Sequence, residues 1–393
     1  MSRTHLLRTA LIAGAAASAL LLSGCVAGEG QAAEPAATEA SASLEGATLN
    51  IDFATYNPLS LIIKDQGWLE AEGVEVTWVQ SAGSNKANEA LRAGAIDVGS
   101  TAGSAALLAR SNGSPIQVID IYSQPEWAAV VSIPGGGIEG VEDLSGKKVA
   151  ATKGTDPYFF LLQSLEEAGL APEDITVENL QHADGWAALQ NGSVDAWAGL
   201  DPIMAGAEQS GAELVYRNVD FNSYGFLNAT ESFLKEQPEL AQLVVDAYER
   251  ARAWAAENPD ETAAILAEVA GLDEAVAQKV ILERSNLDVD NVPGDAQVAV
   301  LEKIGPVFVE LGDVASQQQV DDALATLIND EFATQAEHYS DRRVGARLRD
   351  GIAVAGRSLR PGHAPGMIAG LAALIAVIVA GPILLGVVLL IPL

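Results

Sequence analysis

From Thr48 onward, apolar and polar residues repeat in two rhythms. Leu49-Asn50-Ile51-Asp52-Phe53 has the two-residue period of a strand. Pro58 to Glu70 instead sets Leu59, Ile62, Ile63 and Leu69 on one face of a helix, and Gly73 closes the unit. The alternation then continues: strand over 74–79, helix over 85–92, strand over 96–99, helix over 105–110, strand over 116–121. A second series follows, with strands at 128–133, 148–151, 175–180, 196–197 and 213–216 and helices at 157–168, 186–190 and 202–209. After Thr230 the pattern is almost wholly helical, most clearly over Pro238–Glu257, where Leu240, Leu243, Val244, Ala247 and Ala251 share a face. Strands alternating with helices predict an α/β fold with largely parallel sheets, built as two lobes.

The two ends break this rhythm. Residues 1–8 are short and basic, and 9–22 form an uninterrupted apolar run, too short to span a bilayer comfortably. The run stops at Leu22-Ser23-Gly24-Cys25, which resembles the bacterial lipobox and implies removal of a leader (1–25) and lipidation at Cys25. Residues 26–44 carry Ala, Glu, Ser and Thr with no apolar face, the composition of a flexible tether. At the other end, six arginines between 342 and 360 precede Met367–Leu393, 27 residues without a charge and long enough to be a transmembrane helix. Arginines on the outer side of a C-terminal anchor would violate the positive-inside rule. The tail is expected to be either a C-terminal anchor or, given that conflict, the start of a permease subunit joined by gene fusion or a reading-frame error.

Charge narrows the function. The 393 residues hold 22 Lys+Arg and 53 Asp+Glu, a net charge of −31. Phosphate backbones need a basic surface, so no nucleic-acid partner is expected. One cysteine excludes internal disulfides and cysteine-rich zinc sites, and the four histidines are scattered, so no metal or cofactor is expected. Neither a Ser-His-Asp nor a Cys-His arrangement is visible, so nothing argues for an enzyme.

Ligands of open α/β sheets sit at the carboxyl ends of strands, against helix N-termini. Three turns there are short, glycine-containing and rich in hydroxyls: 81–85 (Ser81, Gly83, Ser84), 100–104 (Thr101, Gly103, Ser104) and 152–156 (Gly154, Thr155). Each can aim free N–H groups and hydroxyls at an anion without an arginine. Asp156-Pro157 and Asp201-Pro202 are read as N-caps, and a proline at the first helical position donates no N–H. That favours 81–85 and 100–104 as the anion cradle. Tyr56, Asn57, Glu126, Trp127, Trp186 and Asp201 complete the expected lining. Trp127, Trp186 and Trp197 also suit a core, and Asp288, Asp290 and Asp295 lack the glutamate a calcium loop needs, since Ala299 stands at its twelfth position.

Gly67-Trp68-Leu69-Glu70 through Trp78, Asn88 through Gly99, Leu144 through Ala150, Lys153-Gly154-Thr155, and Asn191 through Trp197 followed by Asp201-Pro202 resemble the sulfonate/taurine/nitrate substrate-binding proteins of ABC importers, over about 47–335. The resemblance implies a two-lobed type II periplasmic-binding-protein fold, with lobe one at about 45–125 and 226–340 and lobe two at about 126–225. It also implies a small anionic solute as ligand, ABC permease and ATPase subunits as partners, and an extracytoplasmic place on the membrane. Two positions depart from the family. Thr101-Ala102-Gly103-Ser104 replaces a Thr-Gly-Asp, and Leu200 replaces a Trp before Asp201. Taurine's ammonium would meet Glu126 or Asp201. The alternatives are a pyrimidine-type heterocycle held by Trp127, Trp186 and Tyr158, or an enzyme on the same fold.

Overall fold

A computed structural model describes residues 44–336. The leader, Cys25, the tether up to residue 43 and the basic and apolar tail lie outside the described residues. Among the described residues no helix is long and apolar enough to cross a membrane.

The first half lays down β1 (Thr48–Phe53), α1 (Pro58–Gln66), α2 (Trp68–Ala71), β2 (Glu75–Gln80), α3 (Ser84–Arg92), β3 (Val98–Ala102), α4 (Gly103–Ser111) and β4 (Ile116–Ser123). The chain then enters a second body: β5 (Ala128–Ser132), β6 (Lys148–Ala151), α5 (Asp156–Glu167), β7 (Thr176–Asn179), α6 (His182–Gln190), β8 (Ala196–Leu200), α7 (Ile203–Gln209) and β9 (Glu213–Tyr216). It returns as β10 (Gly225–Thr230). The helices α8 (Glu231–Glu236), α9 (Pro238–Glu257), α10 (Pro259–Ala270), α11 (Glu274–Lys279), α12 (Asp295–Glu310) and α13 (Gln317–Leu327) follow. A single π-helical turn, 280–284, follows α11.

Two five-stranded sheets result, ordered β2-β1-β3-β10-β4 and β7-β6-β8-β5-β9. The sheets are largely parallel, as expected, with one strand in each running against the other four. In the first sheet β1 is parallel to β2 and β3, but β10 runs antiparallel to β3 and β4. In the second, β5 runs antiparallel to β8 and β9. The physical reason is the double crossover: β5 and β10 each enter a sheet from the other lobe, with no βαβ connection to set their direction.

One helix was expected across Pro58–Glu70, and the structure breaks it at Gly67. That residue sits at φ 60° and ψ 35°, the left-handed conformation that ends helices, and α2 restarts after it. The start of α1 is fixed by Asn57, whose side-chain oxygen accepts from the Ser60 amide, with Pro58 in the first turn. α9 buries Leu240, Val244, Ala247, Tyr248 and Ala251. It packs on α1, and α12 and α13 pack on α4, so the helical remainder covers the first sheet. Each buried leucine or valine contributes about 1.5–3 kcal/mol there. A further apolar cluster joins Leu61 of α1, Ala205 of α7 and Leu266, Val276 and Ile281 of the later helices, so this remainder also reaches the second lobe.

Candidate functional site

Three helices that follow strands, α3, α4 and α5, point their N-termini into the seam between the sheets. The two crossovers, 123–128 and 216–225, line the same seam. Ser104 of α4 touches Asp156 of α5, a Cβ built on Gly83 would lie 3.0 Å from His182 Nε2, and one built on Gly154 would lie 3.8 Å from Asn85 Cβ. Residues from both sheets therefore meet within hydrogen-bond range.

The turn at 100–104 spends its donors inside the protein. The Ala102 amide donates to Ser84 Oγ at 2.9 Å, Gly103 to the Tyr224 carbonyl at 2.8 Å and Ser104 to Ser223 Oγ at 3.0 Å. Thr101 Oγ1 donates to the Ala102 carbonyl and accepts from Asn228 Nδ2. These bonds tie the 100–104 turn to the 81–85 turn and to the return crossover. Ser81 joins the same knot: its amide donates to the Phe53 carbonyl and its side chain bonds Asp52. Asp52 is fully buried and accepts from the Ser100 amide at 2.9 Å and from Ser100 Oγ. Burial outweighs those bonds and pushes its carboxyl up to about 7.

The densest polar cluster centres on Asp156. Its Oδ1 accepts from Ser104 Oγ at 2.7 Å and Ser223 Oγ at 2.5 Å. Its Oδ2 accepts from Trp127 Nε1 at 2.8 Å and the Ser223 amide at 2.9 Å. Four neutral donors thus surround one buried carboxylate, and among the described residues no salt bridge reaches it. Burial raises its pKa, and the bonds from Ser104, Ser223 and Trp127 oppose the shift. The sequence reading of Asp156 as an N-cap is corrected. Thr155 holds the N-cap position, with its hydroxyl donating to the Thr152 carbonyl at 2.7 Å, and Asp156 turns away from its own helix. Asp201 accepts from the Ala205 amide at 3.0 Å, but the N-cap position of α7 belongs to Pro202, so this expected cap stands one residue ahead of it.

His182 opens α6 and is 1 % exposed. Thr152 Oγ1 donates its one proton to the Leu180 carbonyl at 2.6 Å, so toward His182 Nδ1, 3.2 Å away, it can only accept. The ring is therefore the Nδ1–H tautomer, and Nε2 is an acceptor. That Nε2 and Asn85 Oδ1 are both buried without a partner, and both lie 3.0 Å from the position of a Cβ on Gly83. Desolvation alone pulls the imidazole down to about 4.

The remaining expected residues divide. Tyr56 and Trp127 meet edge to face at 6.1 Å and, with Asp201 and Arg284, line a narrow recess. Tyr56 also donates its hydroxyl to the Ser100 carbonyl at 3.0 Å. Asn57 is spent as a cap and on Tyr248. Glu126 is paired with Arg217 at 2.8 Å and Asp201 with Arg284 at 3.2 Å, so both carboxylates expected to meet an ammonium already have cations. Trp186 packs on Trp197, 6.1 Å between ring centroids, in a cluster of the second sheet. Tyr158 packs on Phe159 instead, so Trp127, Trp186 and Tyr158 fall into three separate ring contacts. Among the described residues no cluster could hold a metal ion.

Sequence reasoning missed Asp52, Asn85, His182, Ser223 and Arg284. Asp52 carried a signal, since a carboxylate inside an apolar alternation has to be buried or functional. Ser223 carried none, because its role depends on a crossover that only the topology reveals.

A family model described as NMT1/THI5 like matches residues 59–262. An Escherichia coli (strain K12) protein named for binding aliphatic sulfonates is 30% identical over 232 residues, 58% of this chain and 72% of that one. A Bacillus subtilis (strain 168) protein with the same description is 28% identical, over 56% of this chain and 69% of that one. Among solved structures, the alkanesulfonate-binding protein SsuA from Xanthomonas axonopodis pv. citri bound to MOPS is 25% identical with a TM-score of 0.65, covering 71% of this chain and 98% of that one. The desulfurization enzyme DSZB, at 15% identity and a TM-score of 0.57 over 75% of this chain and 99% of that one, shares the fold alone.

Proposed function

The chain belongs to the NMT1/THI5-like family, and from that premise we propose that it is the solute-binding component of an ABC importer for small sulfonates or related anions. Its relatives are named for binding aliphatic sulfonates, and that ligand class is carried over here. The observation that carries the reading is the Asp156 cluster. A buried carboxylate held by two hydroxyls, an indole N–H and a main-chain amide, with no cation, supports reading the seam as a place for an oxyanion.

On this reading the solute lies between the lobes, against Gly83 and Ser84 of the α3 turn, Ser104 of α4, Gly154 and Thr155 of the α5 turn, and the Tyr56–Trp127 wall. It is captured and released rather than turned over. Export, a thioether-linked lipid at Cys25 and docking on permease and ATPase subunits belong to the same proposal. The heterocycle alternative has less support, because the rings it needs do not share a pocket.

Isothermal titration of the purified chain with ethanesulfonate, taurine, nitrate and a substituted pyrimidine tests the reading. Saturable binding of a sulfonate supports it, and an aromatic ligand binding alone overturns it. Binding also has a thermal signature, since ligand at 100 times its Kd adds about 2.7 kcal/mol of stability.

A further inference from the structure

The Asp156 cluster has the composition of an anion subsite whose anion is part of the protein. Four donors converge on it from three places in the chain: Ser104 from the N-terminus of α4, Ser223 from the return crossover, and Trp127 from the outgoing one. The carboxylate comes from the fourth element at the seam, the first turn of α5. A sulfonate has three oxygens that accept and no proton to give, so it competes for the same donors. It would also face the Asp156 charge at contact distance, in a buried setting where like charges repel strongly.

We propose that Asp156 occupies the subsite of the solute's anionic group and acts as an internal competitor, so that a sulfonate seats only when this carboxylate leaves its four donors. Asp156 is then a specificity-determining residue, and it sets how tightly this chain holds an anion. The inference rests on the proposed function for the identity of the natural solute, though not for the existence of the subsite.

The mutual wiring explains why the device is coupled to the lobes. Ser104 and Ser223 belong to the side of the first sheet, and Asp156 and Trp127 to the side of the second. While the carboxylate is in place, the lobes are held together without a solute. When a solute replaces it, the same donors hold the lobes around the solute instead. Protonation offers the carboxyl a second way out, because a neutral acid no longer repels the anion. The groups facing Asp156 are Ser104, Ser223, Trp127 and, through the field of its phenol, Tyr122 of β4. Burial keeps Tyr122 neutral, so among the groups facing Asp156 it is Asp156 itself that gains a proton as the pH falls, while Asp52 and Asp201, raised to about 7 and about 6, titrate elsewhere along the seam. Anion affinity therefore rises as pH falls toward its pKa.

Two variants of the full chain test this, Asp156→Ser and Asp156→Asn, each first checked for a cooperative melt. The probe is ethanesulfonate, titrated at pH 7.5 and pH 5. The expected result is about tenfold or greater tightening in both variants at pH 7.5, with a smaller ratio between the affinities at pH 5 and pH 7.5 than in wild type. Equal or weaker binding in both variants overturns the proposal. If neither wild type nor variants bind any sulfonate, the proposed function fails, and the subsite is then judged separately. Crystals of Asp156→Ser grown in ammonium sulfate should show sulfate within hydrogen-bond distance of Ser104 Oγ, Trp127 Nε1 and the Ser223 amide. Water alone in that place overturns the subsite.

Discussion

Single residues at the seam tie stability to pH in opposite directions. Asp52 is raised by burial from 3.8 to about 7, so between those values the folded chain keeps a proton that the unfolded chain releases. Its contribution to stability is therefore greatest near pH 4 and is lost as pH rises toward 7. His182 is lowered from 6.5 to about 4, so there the unfolded chain holds the extra proton, and stability is lost as pH falls through that window. Urea unfolding of wild type against Asp52→Asn should show an advantage for wild type that shrinks from pH 4 to pH 7, by roughly 3 kcal/mol in all. Against His182→Gln the advantage should shrink in the other direction, from pH 6.5 downward. Parallel pH profiles for the two variants would show that neither group is buried as described. The sequence could point to Asp52, which interrupts an apolar alternation. It could not point to His182, whose exposure depends on α6 beginning four residues before the helical pattern becomes visible at Trp186.

At the level of elements, most strands and helices were legible, because their periods of two and 3.6 are written in the order of residues. α9 runs over Pro238–Glu257, as its apolar spacing indicates. What order alone cannot show is the direction in which a strand enters a sheet: β5 and β10 read like any other strand, and both are antiparallel to their neighbours. The turns show the same limit. Hydroxyl-rich turns at 81–85 and 100–104 were recognisable, but whether their N–H groups stay free depends on Tyr224 and Ser223, about 120 residues further on. Gly225, at the head of β10, is where this dependence can be tested. A Cβ there would sit 2.5 Å from the Tyr122 ring and 2.6 Å from Ser123 Oγ, with no flexible end to give way. Gly225→Ala should cost about 1–3 kcal/mol in urea unfolding. Because Ser223 lies two residues upstream, the same change should weaken binding of a sulfonate. A neutral effect on both would mean that the crossover is looser than its contacts indicate.

For the whole molecule, the question is what holds two sheets together across a polar seam. Arg284, on the π-helical turn after α11, is 3 % exposed and lies 3.2 Å from Asp201 of the second lobe. It also bonds Glu208 of α7, and its carbonyl accepts from the Glu126 amide at 2.8 Å. Asp201 remains raised to about 6 even so, because desolvation exceeds the attraction of the guanidinium. The pair is therefore a fastener whose cost is already spent in burial, and removing one half should hurt more than the pair helps. Arg284→Met would leave Asp201 buried without a cation and should cost about 3–5 kcal/mol, while the double variant Arg284→Met with Asp201→Leu should recover much of it. Small-angle scattering adds the second readout. If Arg284 fastens the lobes, the single variant without solute should have a larger radius of gyration than wild type, and a tightly binding sulfonate should bring it back. A variant that loses stability yet keeps the wild-type radius would place the fastening elsewhere, in the Asp156 cluster or in the apolar contact between Ala205 and the later helices.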